Sequence, residues 1–91
     1  MKELDELIDV FSRITDKEKM AMLFEELFTP AERDTLRLRW VLLKMLKDGI
    51  PQREISSRLG ISLCKITRGS KLLKNSESVL NEIFNELKKE N

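Results

Sequence analysis

The chain has 91 residues, 41% of them hydrophobic and 36% charged, with a formal net charge of +1. That length allows one domain with a modest core, and the longest apolar runs fall far short of the ~20 residues that cross a bilayer. With no His, no Tyr, one Cys and three Gly, the chain lacks His-dependent triads, His-based metal sites, an imidazole to activate a thiol, and a glycine-rich phosphate loop, so an enzyme is not expected.

The chain is expected to be helical throughout. It begins Met1-Lys2-Glu3-Leu4-Asp5-Glu6, with neither the basic start nor the apolar stretch of a secretory signal, so a reducing cytoplasm is the expected compartment. Leu4, Leu7, Ile8, Phe11 and Ile14 recur at steps of three and four, the stripe of a first amphipathic helix. Thr15-Asp16-Lys17-Glu18 reads as a capping box with Thr15 as the cap. It opens a second helix with a stripe of Met20, Leu23, Phe24, Leu27 and Phe28. Thr29-Pro30-Ala31-Glu32 is another capping box, with Pro30 at the first helical position, where a missing N–H costs nothing. The third helix carries Leu36, Trp40, Leu43 and Leu46 and stops near Asp48-Gly49. Pro51 starts a short fourth helix that Gly60 ends. Ser62 caps a fifth, and Asn75 and Ser76 interrupt the pattern. A last helix carries Leu80, Ile83, Phe84 and Leu87. No strand alternation, repeat or linker competes. Six helices this short depend on tertiary packing. The stripes at the two ends of the chain are suited to meet those of a second subunit, so a homodimer is expected.

Charge is unevenly distributed. Residues 1–35 carry −5, residues 36–51 carry +3, residues 52–74 carry +5 and residues 75–91 carry −2. A basic segment in a near-neutral chain is a candidate footprint for a phosphate backbone, although a charged segment is also what a solvated helix face looks like.

The most informative stretch is QREISSRLGISLCKITRGSKLLK, from Gln52 to Lys74. A helix-turn-helix needs two short helices crossing closely. Ile55 and Leu59 supply the apolar face of the first, and Ser56 the small residue at the crossing. Gly60 tolerates positive φ in the turn. Ile61 plugs the core, Ser62 caps the second helix, and Ile66 and Leu73 face inward. In a DNA-binding unit of this kind the N-terminal residues of the second helix meet base edges. Those are Ser62, Leu63, Cys64, Lys65 and Thr67. Lys65 can donate to guanine, and Leu63 and Cys64 can pack on thymine methyls. For Cys64 the more ordinary reading is a small buried thiol. Gln52 and Arg53, at the start of the first helix, sit where phosphate contacts set register. Lys71 and Lys74 lie further along, toward backbone or solvent.

These residues also carry a resemblance. The run from Gln52 to Lys74 resembles the DNA-reading segment of the tryptophan repressor family, most specifically at ITRGS, Ile66 to Ser70. The run FTPAERDTLRLR, Phe28 to Arg39, resembles the segment that precedes it there, and the two runs stand in the right order. The resemblance covers roughly residues 20–90. It implies an intertwined all-α homodimer that binds a pseudo-palindromic operator with L-tryptophan as corepressor, with no other cofactor and no metal. It matches Arg39 and Arg68 to the arginines on either side of the indole, Thr29 to the threonine near the carboxylate, and Gly69 to the glycine that lets the ligand approach. Guanidinium planes suit both an indole face and a carboxylate. Each residue also has a plainer role: Thr29 as a cap, Arg39 as a surface residue with a packed stem, Arg68 on a phosphate, Gly69 at a tight helix crossing.

The chain departs from the family in three places. Leu72 stands where a hydroxyl is usual near the ligand amino group. Ser56 replaces a lysine in the first reading helix. The connection from Arg39 to Gln52 is one residue shorter than in the best-known member. The expectation is a single 91-residue domain acting as a transcriptional repressor of tryptophan-related genes. The alternatives are a family member that needs no amino acid and a helical protein–protein interaction module.

Overall fold

The computed structural model describes residues 2–90. Among them are six α-helices and no strand: α1 (Lys2–Arg13), α2 (Lys17–Leu27), α3 (Pro30–Lys47), α4 (Gln52–Leu59), α5 (Leu63–Lys74) and α6 (Val79–Glu90). They form two compact units that divide between Thr35 and Leu36. α3 begins in the first unit and continues into the second.

In the first unit, α1 is amphipathic but buries no residue, and neither does α2. Their contact is aromatic. The Phe11 ring lies 5.9 Å from that of Phe24, which lies 5.1 Å from Phe28. Leu4, Ile8, Val10, Met22 and Leu27 remain exposed. The cap of α2 differs from the expectation. Asp16, not Thr15, is the N-cap, and its carboxylate accepts from the Glu18 amide at 3.1 Å. Two capping residues stand side by side here, and the carboxylate is the better acceptor at the positive end of a helix. The box at α3 forms as expected. The Glu32 amide donates to Thr29 Oγ1 at 3.1 Å, and the Thr29 amide donates to Glu32 Oε1 at 2.9 Å. The Arg33 guanidinium closes the turn between α2 and α3 by donating to the carbonyls of Phe28, at 2.6 Å, and Glu25, at 3.2 Å.

The second unit holds the core. Leu42, Ile55 and Ile66 form its centre, one each from α3, α4 and α5, with Met45, Leu46, Ile50, Leu59 and Ile61 packed around them. Ile55 and Ile66 are fully enclosed, which stabilises the fold by about 2–3 kcal/mol each. On α3 the buried pair is Leu42 and Leu43, whereas Leu36 and Trp40 of the expected stripe stay 36% and 38% exposed. The reason for Trp40 is its partner. Its indole stacks on Phe84 of α6 with centroids 4.9 Å apart and planes 25° apart, at the rim of the core.

α3 stops where Gly49 adopts φ +83°. The Gly49 amide donates to Leu46 O at 3.0 Å and the Ile50 amide to Met45 O at 3.1 Å, the paired bonds of a Schellman stop. Pro51 lies just outside α4 as its N-cap rather than starting the helix. With no N–H to lose, it offers its carbonyl to the Glu54 and Ile55 amides. Between α5 and α6, Asn75 Oδ1 accepts from the Glu77 amide at 3.0 Å and Ser78 Oγ from the Leu80 amide at 3.2 Å, so this break is built from side-chain turns. Among the described residues no helix is long and apolar enough to cross a membrane.

Candidate nucleic-acid interface

α4 and α5 are joined by three residues, Gly60 to Ser62, and pack against each other. Gly60 takes the left-handed conformation, φ +65° and ψ 33°, with its amide on Ser56 O. Ile61 then drops toward the core, and Ser62 caps α5 by accepting from the Lys65 amide at 3.4 Å. Ser56 does more than leave space. Its hydroxyl donates to Ile61 O at 2.7 Å, tying the first helix across the turn. Where the resemblance leads one to expect a long cation, the chain therefore has a short residue holding the turn.

On α5, Ile66, Gly69, Ser70 and Leu73 face inward at the i, i+3, i+4, i+7 spacing of one helix face, and the rest of the helix is exposed. Gly69 is buried, and its mid-helix position has a packing reason. A Cβ there would meet Leu46 Cδ1 at 3.2 Å and Leu43 Cδ2 at 3.3 Å. A side chain there would press on two leucine methyls of α3, which would have to give by a few tenths of an ångström.

The residues expected to meet DNA divide into two groups. Ser62, Leu63, Cys64, Lys65 and Thr67 all lie exposed in the first half of α5 or at its cap, and Leu63 is open by 46%. Cys64 is an exposed free thiol, so the buried reading does not hold. It sits on the side of the helix away from Ile66 and Gly69. Arg53 and Lys74 are exposed and Gln52 is half-buried. Thr67 Oγ1 donates to Gln52 Oε1 at 3.2 Å, which brings the start of α4 against the exposed side of α5.

The electrostatics of the face follow from pairing. Arg58 is engaged by Glu54 on the same helix at 3.1 Å. Arg53, Lys65, Arg68, Lys71 and Lys74 have no carboxylate partner among the described residues. The positive charge of the segment is therefore not neutralised internally.

The four residues matched to ligand positions are Thr29, the N-cap of α3 in the first unit, Arg39, exposed on α3 in the second, and Arg68 and Gly69, exposed and buried respectively on α5. A surface hollow beside α6 is lined by Ser76, Ser78, Asn81, Asn85 and others, and includes none of these four. Leu72 projects outward with 43% exposure.

Sequence reasoning missed Asn81. It is the buried polar residue of this unit, and its amide joins α5, α6 and α3. The one available signal was its spacing of three residues from Phe84, which puts it beside the apolar stripe of α6.

Comparison with known proteins agrees in one direction. The Trp repressor protein family matches residues 2–88. A Trp operon repressor homolog of Vibrio campbellii is 36% identical over 74 residues, covering 80% of this chain and 74% of the relative. The Trp operon repressor homolog of Vibrio parahaemolyticus is 35% identical over 74 residues, covering 80% and 72%. That of Mannheimia succiniciproducens is 51% identical over a shorter 49 residues, 53% of this chain and 48% of the relative. No solved structure is a significant match.

Proposed function

The chain belongs to the Trp repressor protein family, a family of transcription regulators rather than enzymes, and from that premise we propose that it is a dimeric, cytoplasmic repressor that binds operator DNA in response to L-tryptophan. α4 and α5 act as a helix-turn-helix, with α5 as the reading helix. Ser62, Leu63, Cys64, Lys65 and Thr67 face base edges, and Gln52, Arg53 and Lys74 set register on phosphates. The observation that carries this reading is the exposed face of α5 and its unpaired cations, Lys65, Arg68, Lys71 and Lys74. A surface of uncompensated cations beside a packed turn is suited to displacing counterions from a phosphate backbone.

The dimer is supported by apolar surface that the chain leaves open. α1 and α2 bury no residue, and Val79, Ile83 and Leu87 of α6 are 66%, 37% and 40% exposed. A second copy would cover these faces, as the resemblance implies. L-tryptophan is assigned to Thr29, Arg39, Arg68 and Gly69 through the same resemblance. The guanidinium planes of Arg39 and Arg68 suit the indole, and the resemblance matches Thr29 to the threonine near the carboxylate. A ligand held against α5 biases the reading helix toward its DNA-competent pose by its differential affinity for that pose. One observation favours a second reading, a repressor that needs no amino acid: the exposed Leu72 offers no hydrogen bond to a ligand ammonium.

Titration calorimetry with L-tryptophan, using other amino acids as controls, separates the two. Saturable binding of one tryptophan per chain, lost in Arg39→Ala, supports the corepressor reading. No binding alongside duplex affinity supports the second. If no duplex binds in either condition, the protein is an interaction module instead. For a DNA binder, the logarithm of affinity should fall with the logarithm of salt at a slope steeper than about −3.

A further inference from the structure

We propose that Asn81 is a positioning residue for DNA reading: with Lys47 it fixes the pitch of α5, and so the register of the base-facing residues at its other end. The proposal rests on α5 being the reading helix. Asn81 lies in the first turn of α6 and is 8% exposed. Its Nδ2 donates to Leu73 O, in the last turn of α5, at 2.7 Å, and to Asn75 O, at the cap of α5, at 3.0 Å. Its Oδ1 accepts from Lys47 Nζ, at the end of α3, at 3.0 Å. Both amide hydrogens are used, and the oxygen has a cationic donor. The reversed amide would set oxygen against two carbonyls and NH2 against an ammonium, so the partners fix its orientation. One side chain therefore ties the ends of three helices together.

The tie controls an angle because α5 has a pivot. Gly69, close against Leu46 and Leu43 of α3, and the enclosed Ile66 hold the middle of the helix. Leu73 is four residues beyond Gly69, and Leu63 is six residues before it. At 1.5 Å per residue, a displacement of about 1 Å at Leu73 swings Leu63 by about 1.5 Å in the opposite direction. Base-edge hydrogen bonds keep to a window of about half an ångström, whereas flexible lysines follow a phosphate over larger shifts. Loosening Asn81 should therefore erode sequence discrimination and spare general affinity for DNA.

The test uses the full-length protein with L-tryptophan present. Two duplexes are compared: one selected by the wild-type protein from a random-sequence pool, and one of scrambled sequence. Asn81→Leu removes the donors at similar volume. Lys47→Met removes the cation, keeps an apolar stem and covers the case in which Asn81→Leu does not fold. Lys47→Arg restores a donor. Expected are an about tenfold loss on the selected duplex for Asn81→Leu and about threefold for Lys47→Met, with scrambled-duplex affinity within about twofold of wild type and Lys47→Arg close to wild type. A purely structural role would lower both affinities together and leave their ratio unchanged, and that result in both variants overturns the proposal. Wild-type protein that selects no sequence at all would instead overturn the DNA reading, and the positioning role with it.

Discussion

Ile66 is the sharpest place to test how α5 is held. It is fully enclosed among Leu42 and Ile55, with Met45, Leu46, Ile50, Leu59 and Ile61 around them. Ile66→Ala removes three carbons, worth about 0.8 kcal/mol each on transfer alone, or about 2.4 kcal/mol. The cavity left behind adds to this, and the better helix propensity of Ala subtracts about 0.4 kcal/mol, so the expected loss is about 3 kcal/mol. Ile66→Val should cost about 1 kcal/mol. Leu63→Ala, on the same helix but 46% exposed, should cost well under 1 kcal/mol. Urea unfolding followed by far-ultraviolet circular dichroism gives all three values. Chain concentration is held constant, because in the proposed dimer association would contribute to apparent stability. An Ile66→Ala loss below about 1 kcal/mol, or no larger than that of Leu63→Ala, would refute the packing argument and remove the pivot from the description of α5.

Two further substitutions probe local backbone chemistry. Gly60 has φ +65° and open space where a Cβ would go, so Gly60→Ala should cost about 1 kcal/mol by conformation alone and Gly60→Asn distinctly less, as read from urea midpoints. Thr29→Ala removes half of the box with Glu32 and should cost about 1 kcal/mol, whereas Thr29→Ser should restore stability. If Thr29→Ser restores stability but not tryptophan binding, the methyl group belongs to a ligand contact as well as to a cap.

The features that could be read from sequence are those whose causes are local. Thr29 and Glu32 are three residues apart, Gly60 needs only its own φ, and Ser62 caps the helix that starts beside it. Thr15 and Asp16 show the limit of that reading. Two acceptors stood in adjacent positions, and the choice between them turned on charge at the helix end. Burial on α3 was harder. Leu36, Trp40, Leu43 and Leu46 share a helical stripe, yet Leu42 and Leu43 are the buried pair, because α4 and α5 decide which side of α3 is covered. The buried reading of Cys64 fails for the same reason, since residue type alone does not fix a face. Asn81 was invisible because Lys47 is 34 residues away in sequence, and a polar residue next to an apolar stripe ordinarily faces solvent. The roles proposed for Arg39 and Arg68 rest on resemblance, since two exposed arginines carry no ligand signal by themselves.

The stack of Trp40 on Phe84 has a practical consequence. The chain has one tryptophan, so its intrinsic emission comes from a single, partly exposed indole stacked on α6. Quenching and spectral shift therefore report whether α3 and α6 stay in contact, independently of circular dichroism, which counts helix without saying which helices touch. Added L-tryptophan emits in the same band. A 5-fluorotryptophan label at Trp40, observed by fluorine resonance, keeps the protein's indole distinguishable from that of added L-tryptophan throughout a titration.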